Sequence, residues 1–214
     1  MKQFNCKCSD WIENGLKNVY IGCIEQDFQI QPFDYKSINI FLPYDRIELH
    51  FENKNFSLIE NLKENDKVRR LRMRKSGIKT ISNQNFVGMT NVEFIHLDLN
   101  QISLIEENSF ENCSVLYEID LSYNLITAVL AKTFSGAHKL LNLWLTGNKI
   151  KYIERNAFEN LKSLKKISLS DNQVIFISAE FFKNLIGLEE VYVINNAISN
   201  IESDSFKFTK SLKK

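Results

Sequence analysis

A chain of 214 residues, 44% hydrophobic and 25% charged, has the make-up of a soluble globular protein and enough material for a sizeable core. Its formal net charge of +1 gives no global reason to expect nucleic acid or an acidic membrane surface as a partner. No apolar run approaches the ~18 residues that a spanning helix needs, so no membrane segment is expected in this chain.

The first residues, Met-Lys-Gln-Phe-Asn-Cys-Lys-Cys, lack the apolar stretch of a secretory leader, so no signal peptide is expected here. Cys6, Cys8 and Cys23 cluster near this end, and Cys113 stands alone. The cluster is compatible with a disulfide, with reduced thiols in a cytosolic protein, or with a metal. The metal reading fits worst, because no histidine lies at a zinc-site spacing. The residues alone leave these alternatives open.

Beyond residue 43 the chain repeats. Units of 24 residues start at Val68, Val92, Leu116, Leu140, Leu164 and Leu188, with a degenerate unit from Tyr44. Apolar residues fill positions 1, 4, 6, 11, 14, 19 and 22, and position 19 is Phe86, Phe110, Phe134, Phe158, Phe182 and Phe206. Position 9 is Asn100, Asn124, Asn148, Asn172 and Asn196, each closing a phrase such as Leu143-Trp-Leu145-Thr-Gly-Asn148. A fixed period of this length marks a stacked array, since one unit cannot bury its own apolar side and neighbours must cover it. Positions 4 and 6 then face inward on a short strand, with positions 3, 5 and 7 outward. The phenylalanines form a spine opposite the strands. Each asparagine amide is placed to bond backbone groups of adjoining coils that lack ladder partners. In the degenerate unit Ile47 and Leu49 are the expected inward pair.

The outward positions are the candidate binding residues. Arg70, Arg72 and Arg74 project from one strand, Phe94, His96 and Asp98 from the next, then Glu118 and Asp120, with Trp144 and Tyr192 expected exposed beyond them. Arginine and large aromatics dominate binding energy at interfaces. Internal pairing of Glu48 with Arg72, and of Asp98 with Arg74, would be worth only ~0–1 kcal/mol at the surface and leaves a ligand possible.

No enzyme motif stands out. The glycines form no phosphate loop, and His50, His96 and His138 fall at different positions of different units, as exposed histidines. No catalytic residue, metal ligand or cofactor is expected, and Cys113 at position 22 reads as a small buried hydrophobe. Asn55-Phe-Ser57 is a glycosylation acceptor if the chain enters a secretory route, with Asn112-Cys-Ser114 a weaker one. Leu212-Lys-Lys214 copies the opening Leu164-Lys-Lys166, which suggests a piece of a longer protein.

The pattern resembles the 24-residue class of leucine-rich repeat found in Toll-like receptor ectodomains, Slit-type proteins and small proteoglycans. The resemblance implies an α/β repeat solenoid, a right-handed horseshoe with a parallel concave β-sheet and irregular convex turns. It covers residues 44–211 in about seven repeats, with residues 212–214 opening a next one. The unit at 44–67 departs from it, with Glu52 in place of asparagine and Leu62 in place of phenylalanine, and Ser76 also replaces an asparagine. Residues 1–43 then resemble the N-terminal cysteine cap of that family. The match implies a Cys6–Cys23 disulfide and leaves Cys8 without a partner, because the upstream cysteine of the usual four is missing. The implied function is non-catalytic binding of a protein ligand on the concave face. The setting is extracellular, secreted or a receptor ectodomain, with adhesion, guidance and innate immunity all open. An anionic glycan is the alternative partner, suggested by Arg69, Arg70, Arg72, Arg74 and Lys75. An intracellular scaffold would instead show free thiols and no glycan.

Overall fold

Inward residues at two-residue spacing, repeated every 24, produce short strands joined by long returns. The computed structural model describes residues 6–13, 16–24, 46–52 and 66–213. The hairpin β1 (Cys6–Glu13) and β2 (Leu16–Ile24) is antiparallel, and β3 (Arg46–Glu52) and β4 (Val68–Arg74) continue it in parallel. From there, two-residue strands on the far side alternate with strands of the main sheet. They are β5 (Thr80–Ile81), β6 (Phe94–His96), β7 (Leu104–Ile105), β8 (Glu118–Asp120), β9 (Ala128–Val129) and β10 (Asn142–Trp144). The series continues with β11 (Tyr152–Ile153), β12 (Lys166–Ser168), β13 (Phe176–Ile177), the single helical turn α1 (Ala179–Phe182), β14 (Glu190–Tyr192) and β15 (Asn200–Ile201). Among the described residues the main sheet has nine strands in the order β1-β2-β3-β4-β6-β8-β10-β12-β14. The chain is a solenoid with little helix.

The repeat columns form one continuous core from Leu49 to Leu188, with Val191, Val193, Ile198 and Leu212 partly buried against it. Phe86, Phe110, Phe134 and Phe158 stack in sequence at centroid distances of 5.3, 5.8 and 6.4 Å. The expected spine is not continuous. Phe182 stacks on Phe206 at 5.4 Å, but no ring pair joins it to Phe158 among the described residues. This unit carries α1, where Phe181 packs edge-on against Phe182. The far side is also more regular than irregular turns would be, since β5 pairs with β7, β9 with β11 and β13 with β15.

The asparagine column works as its chemistry demands. Asn148 Oδ1 accepts from Ile126 N at 3.1 Å, and its Nδ2 donates to Leu121 O and Leu145 O, both at 3.0 Å. Asn100, Asn124 and Asn172 repeat the arrangement. The residue before position 9 of every unit from Val68 on, five asparagines and Ser76, turns left-handed: Lys75, Leu99, Tyr123, Gly147, Asp171 and Asn195 all have φ between 49° and 70°. Only one of the six is glycine.

The first repeat departs from expectation. Leu49 and Phe51 lie opposite Leu71 and Met73, after a register shift between Ile47 and Glu48. Leu49, counted from the period as position 6, therefore takes the register of position 4 beside Leu71, in place of Ile47. The step from this unit to the next is two residues short of 24, so a count carried back from Val68 lands two residues early.

Candidate functional site

Because the strands are parallel and in register, each outward position makes a row running across the sheet. Position 3 aligns Arg70, Phe94, Glu118, Asn142, Lys166 and Glu190, and position 5 aligns Arg72, His96, Asp120, Trp144, Ser168 and Tyr192. Side chains one strand apart sit at ~4.8 Å spacing and bond to one another.

At the β4 end, Arg70 lies with its guanidinium 4.3 Å above the Phe94 ring and its Nε 3.3 Å from Glu48. The sequence paired Glu48 with Arg72. The shifted register gives it to Arg70 instead, since Glu48 and Arg70 are Cα partners. Arg74 Nε donates to Asp98 Oδ2 at 2.7 Å, the expected pair, and the contact leaves Asp98 only 8% exposed. Arg69 pairs with Glu93 at 3.8 Å. Among the described residues Arg72 has no carboxylate partner; its Nη2 donates to His96 Nδ1 at 3.2 Å. A cavity of about 110 Å³ opens here, lined by Arg70, Arg72, Phe94 and His96.

Glu118 is the hub of the central strands. It accepts from His96 Nε2 at 3.0 Å and from Asn142 Nδ2 at 2.8 Å. The His96 bond, helped by the Asn142 amide, holds its carboxyl below the usual glutamate range. Asp120 Oδ1 accepts from Ser122 N at 2.9 Å, so part of its capacity serves the turn. Trp144 and Tyr192 are half-buried, not exposed as expected, since each stands beside position-5 side chains of adjoining coils. Tyr192 donates its hydroxyl to Glu190, whose carboxylate lies 2.8 Å from Lys166. That bond raises the phenol above its ordinary value, and Lys166 is likewise raised by Glu190. His96 is half-buried by Arg72 and Glu118, against the expected exposure.

The structure therefore brings Arg70, Arg72, Arg74, Phe94, His96, Asp98, Glu118, Asp120, Trp144 and Tyr192 onto one face. Reasoning from sequence passed over Asn142, Lys166 and Glu190, which tie that face together. Their signal was present, since all three stand at position 3 of their units. Cys113 is buried, and burial pushes its thiol up to about 12. Among the described residues no group of His, Cys, Asp or Glu could hold a metal, and no helix is long and apolar enough to cross a membrane. Asn55 lies outside the described residues, as do the side chains of Cys6 and Cys23.

Residues 79–213 match the family of BspA type leucine rich repeat regions, in six copies. The chain belongs to that leucine-rich repeat family. Solenoids of this family are typically non-catalytic. No curated protein matches the chain. Among solved structures, the crystal structure of a TLR13-ssRNA13 complex is similar at a TM-score of 0.67 and 22% identity, over 79% of this chain. The chain spans 24% of the length of that neighbour. At this identity the likeness speaks for the fold, and the RNA belongs to the neighbour.

Proposed function

We propose that this leucine-rich repeat protein is a non-catalytic recognition module that binds a protein ligand across the concave sheet. The observation that carries the reading is Trp144, a large half-buried aromatic that stands between Asp120 and Ser168 of the flanking strands on an otherwise polar row. A large aromatic already half-buried between its neighbours has less freedom to lose on binding, which suits an interface anchor. Six spacings between seven parallel strands give roughly 29 Å of sheet at ~4.8 Å each, enough for an interface of ~800 Å² per partner.

A polyanionic glycan partner draws less support. Arg69, Arg70 and Arg74 are each neutralised by a neighbouring carboxylate, so the run of arginines is not an open basic patch. The same pairing supports keeping nucleic acid off the list of partners.

An extracellular setting, secreted or as part of a receptor ectodomain, is part of the proposal. It is supported by the register of β1 and β2, which sets Cys6 opposite Cys23. Directly opposed residues of an antiparallel pair lie ~4.5–5.5 Å apart at Cα, inside the range a disulfide needs. Peptide mapping without reduction should find Cys6 joined to Cys23, and finding Cys8 joined to Cys23 would overturn that pairing.

The binding reading is tested by presenting the wild-type protein and a Trp144→Ala, Tyr192→Ala, Arg72→Glu triple variant to a panel of purified cell-surface and secreted proteins. Ligands that bind the wild type at least tenfold more tightly support it. Ligands held equally by both place the site elsewhere.

A further inference from the structure

The side opposite the main sheet has a period twice that of the repeat. Position 15 reads Ser82, Glu106, Leu130, Glu154, Ser178 and Glu202, so glutamate returns in every second unit. Each glutamate reaches back one coil to a backbone N–H. Glu106 accepts from Asn83 at 3.1 Å, Glu154 from Ala131 at 2.8 Å and Glu202 from Ala179 at 2.6 Å. The short strands pair with the same alternation. Coils therefore come in joined pairs, and among the described residues the steps from β7 to β9 and from β11 to β13 have no strand pairing.

These two open steps differ. At the first, Asn108 N donates to Lys132 O at 2.9 Å, and Lys132 lies 3.9 Å from Glu107, so the coils are strapped together. At the second, the residues one period on are Asn156 and Glu180, and Glu180 sits in α1 with its N–H given to Ser178 Oγ at 3.3 Å. Among the described residues no backbone bond joins 151–157 to 175–182. In a closed step, Thr127 O and Val129 O accept from Lys151 N and Glu154 N, each at 2.9 Å. At the open step the corresponding acceptors Lys151 O and Ile153 O, and the donors Ile175 N and Ser178 N, have no such partner across it among the described residues.

A groove of about 570 Å³ lies at this step, within the ~300–1,000 Å³ span of ordinary ligand sites. Ile153, Phe176 and Phe181 wall it, and Tyr152 and Ile175 stand at its lip, 57% and 56% exposed. Lys151 and Arg155 also line it, and neither has an ion-pair partner among the described residues. The acid in the wall, Glu154, is occupied by Ala131 N.

We propose that this groove is a second docking site, distinct from the concave face, which takes an extended acidic segment of a partner protein laid along the open edges of β11 and β13. Carbonyls on one wall and N–H groups on the other are what an extended chain satisfies along its two edges. Alternate side chains of the segment lie on Tyr152, Ile175 and Phe176, and the intervening acidic ones meet Lys151 and Arg155. Commitment to an acidic segment rests on those two unpaired cations.

The test is an amide NMR titration of the whole protein with acetyl-Glu-Val-Glu-Val-Glu-amide, its lysine counterpart, and a version N-methylated at both valines. The acidic peptide should shift the amides of Ile153, Ile175, Phe176 and Ser178. The other two peptides should bind at least tenfold more weakly, as should the acidic peptide to a Lys151→Glu, Arg155→Glu variant. Unchanged amides in β8, β10 and β12 verify that the variant is folded; if it is not, the lysine peptide carries the charge test alone. No shift at millimolar peptide, shifts confined to the concave strands, or equal binding of the lysine or N-methylated peptide would overturn the proposal. Failure to bind at the groove leaves the reading of the concave face untouched.

Discussion

Arg72 donates through Nη2 to Nδ1 of His96 at 3.2 Å. A guanidinium has no lone pair to offer, so Nδ1 is the acceptor and Nε2 carries the hydrogen that Glu118 receives at 3.0 Å. One imidazole thus links a cation on β4 to a carboxylate on β8, with its tautomer fixed by both neighbours.

This relay has a consequence for pH. Glu118 is held below the usual carboxylate range, first by the His96 bond and then by Asn142. A carboxyl depressed in the folded state adds stability above its unfolded value and loses it as pH falls through the folded one. Urea unfolding of the wild type should therefore lose more stability between about pH 6 and about pH 3, around the ordinary ~4.3, than Glu118→Gln does. The difference should be on the order of 1 kcal/mol, the scale of one charged hydrogen bond at a partly solvated site. Equal losses in the two proteins would show that the relay adds nothing to stability.

The asparagine column should be the most sensitive polar feature of the fold. Asn148 is 6% exposed and satisfies one N–H and two carbonyls of the turns. Asn148→Ala strands all three groups away from water, at ~1–3 kcal/mol for each left unpaired, so a loss of about 3 kcal/mol is expected by denaturant unfolding. Asn196 makes the same bonds but is half-buried. Water replaces its amide there, and Asn196→Ala should cost about 1 kcal/mol.

Much of this was legible in the sequence because the solenoid is periodic. Once Phe86, Phe110 and Phe134 are aligned, burial of every column follows from stacking, and the outward face follows from strand alternation. What escaped were departures from the period. The two-residue shortening before Val68 moved Glu48 from Arg72 to Arg70, and no 24-residue count could show it. The half-burial of Trp144, Tyr192 and His96 depends on neighbours one strand away, which inward-outward alternation does not weigh. The open step at β11 and β13 depends on α1 replacing a turn, although Glu106, Glu154 and Glu202 marked the doubled period in plain view.

Backbone handedness gives a pair of opposed predictions. Gly136 has φ +87°, and a Cβ there would lie 2.4 Å from the backbone of Glu111, which cannot swing aside. Gly136→Ala should cost at least ~2 kcal/mol, from a forbidden conformation plus a coil-to-coil clash. Leu99 is already left-handed at φ 59°. Leu99→Gly should gain about 0.5 kcal/mol, since relief of ~1–2 kcal/mol exceeds the added chain entropy. Thermal melting of both variants checks the signs.

Cys113 tests the interior. Its thiol is buried and raised to about 12 by loss of hydration, so almost no thiolate exists near neutrality. Iodoacetamide at pH 8 should leave Cys113 unmodified in the native protein and label it in urea. Labelling at comparable rates in both would mean that the coils between Phe110 and Leu116 open readily. Cys113→Ser should cost more than Cys113→Ala, by roughly 1–2 kcal/mol, because the hydroxyl has no partner in an apolar column.

The concave face should divide binding energy from association rate. Trp144 is large, half-buried, and stands between Asp120 and Ser168 of the flanking strands. Once a protein ligand is found, Trp144→Ala should weaken it by ~2 kcal/mol or more, mainly through faster dissociation. Trp144→Phe retains an apolar ring but loses the indole N–H, so its cost measures what that donor contributes to the complex. Arg72 lacks a carboxylate partner among the described residues and sits at the edge of the small cavity with Phe94. Arg72→Glu should slow association, increasingly so at low salt, with a smaller effect on dissociation. Surface-plasmon kinetics at two ionic strengths separates the two roles. A Trp144→Ala variant with unchanged dissociation would remove the indole as anchor and move the binding surface off the central strands.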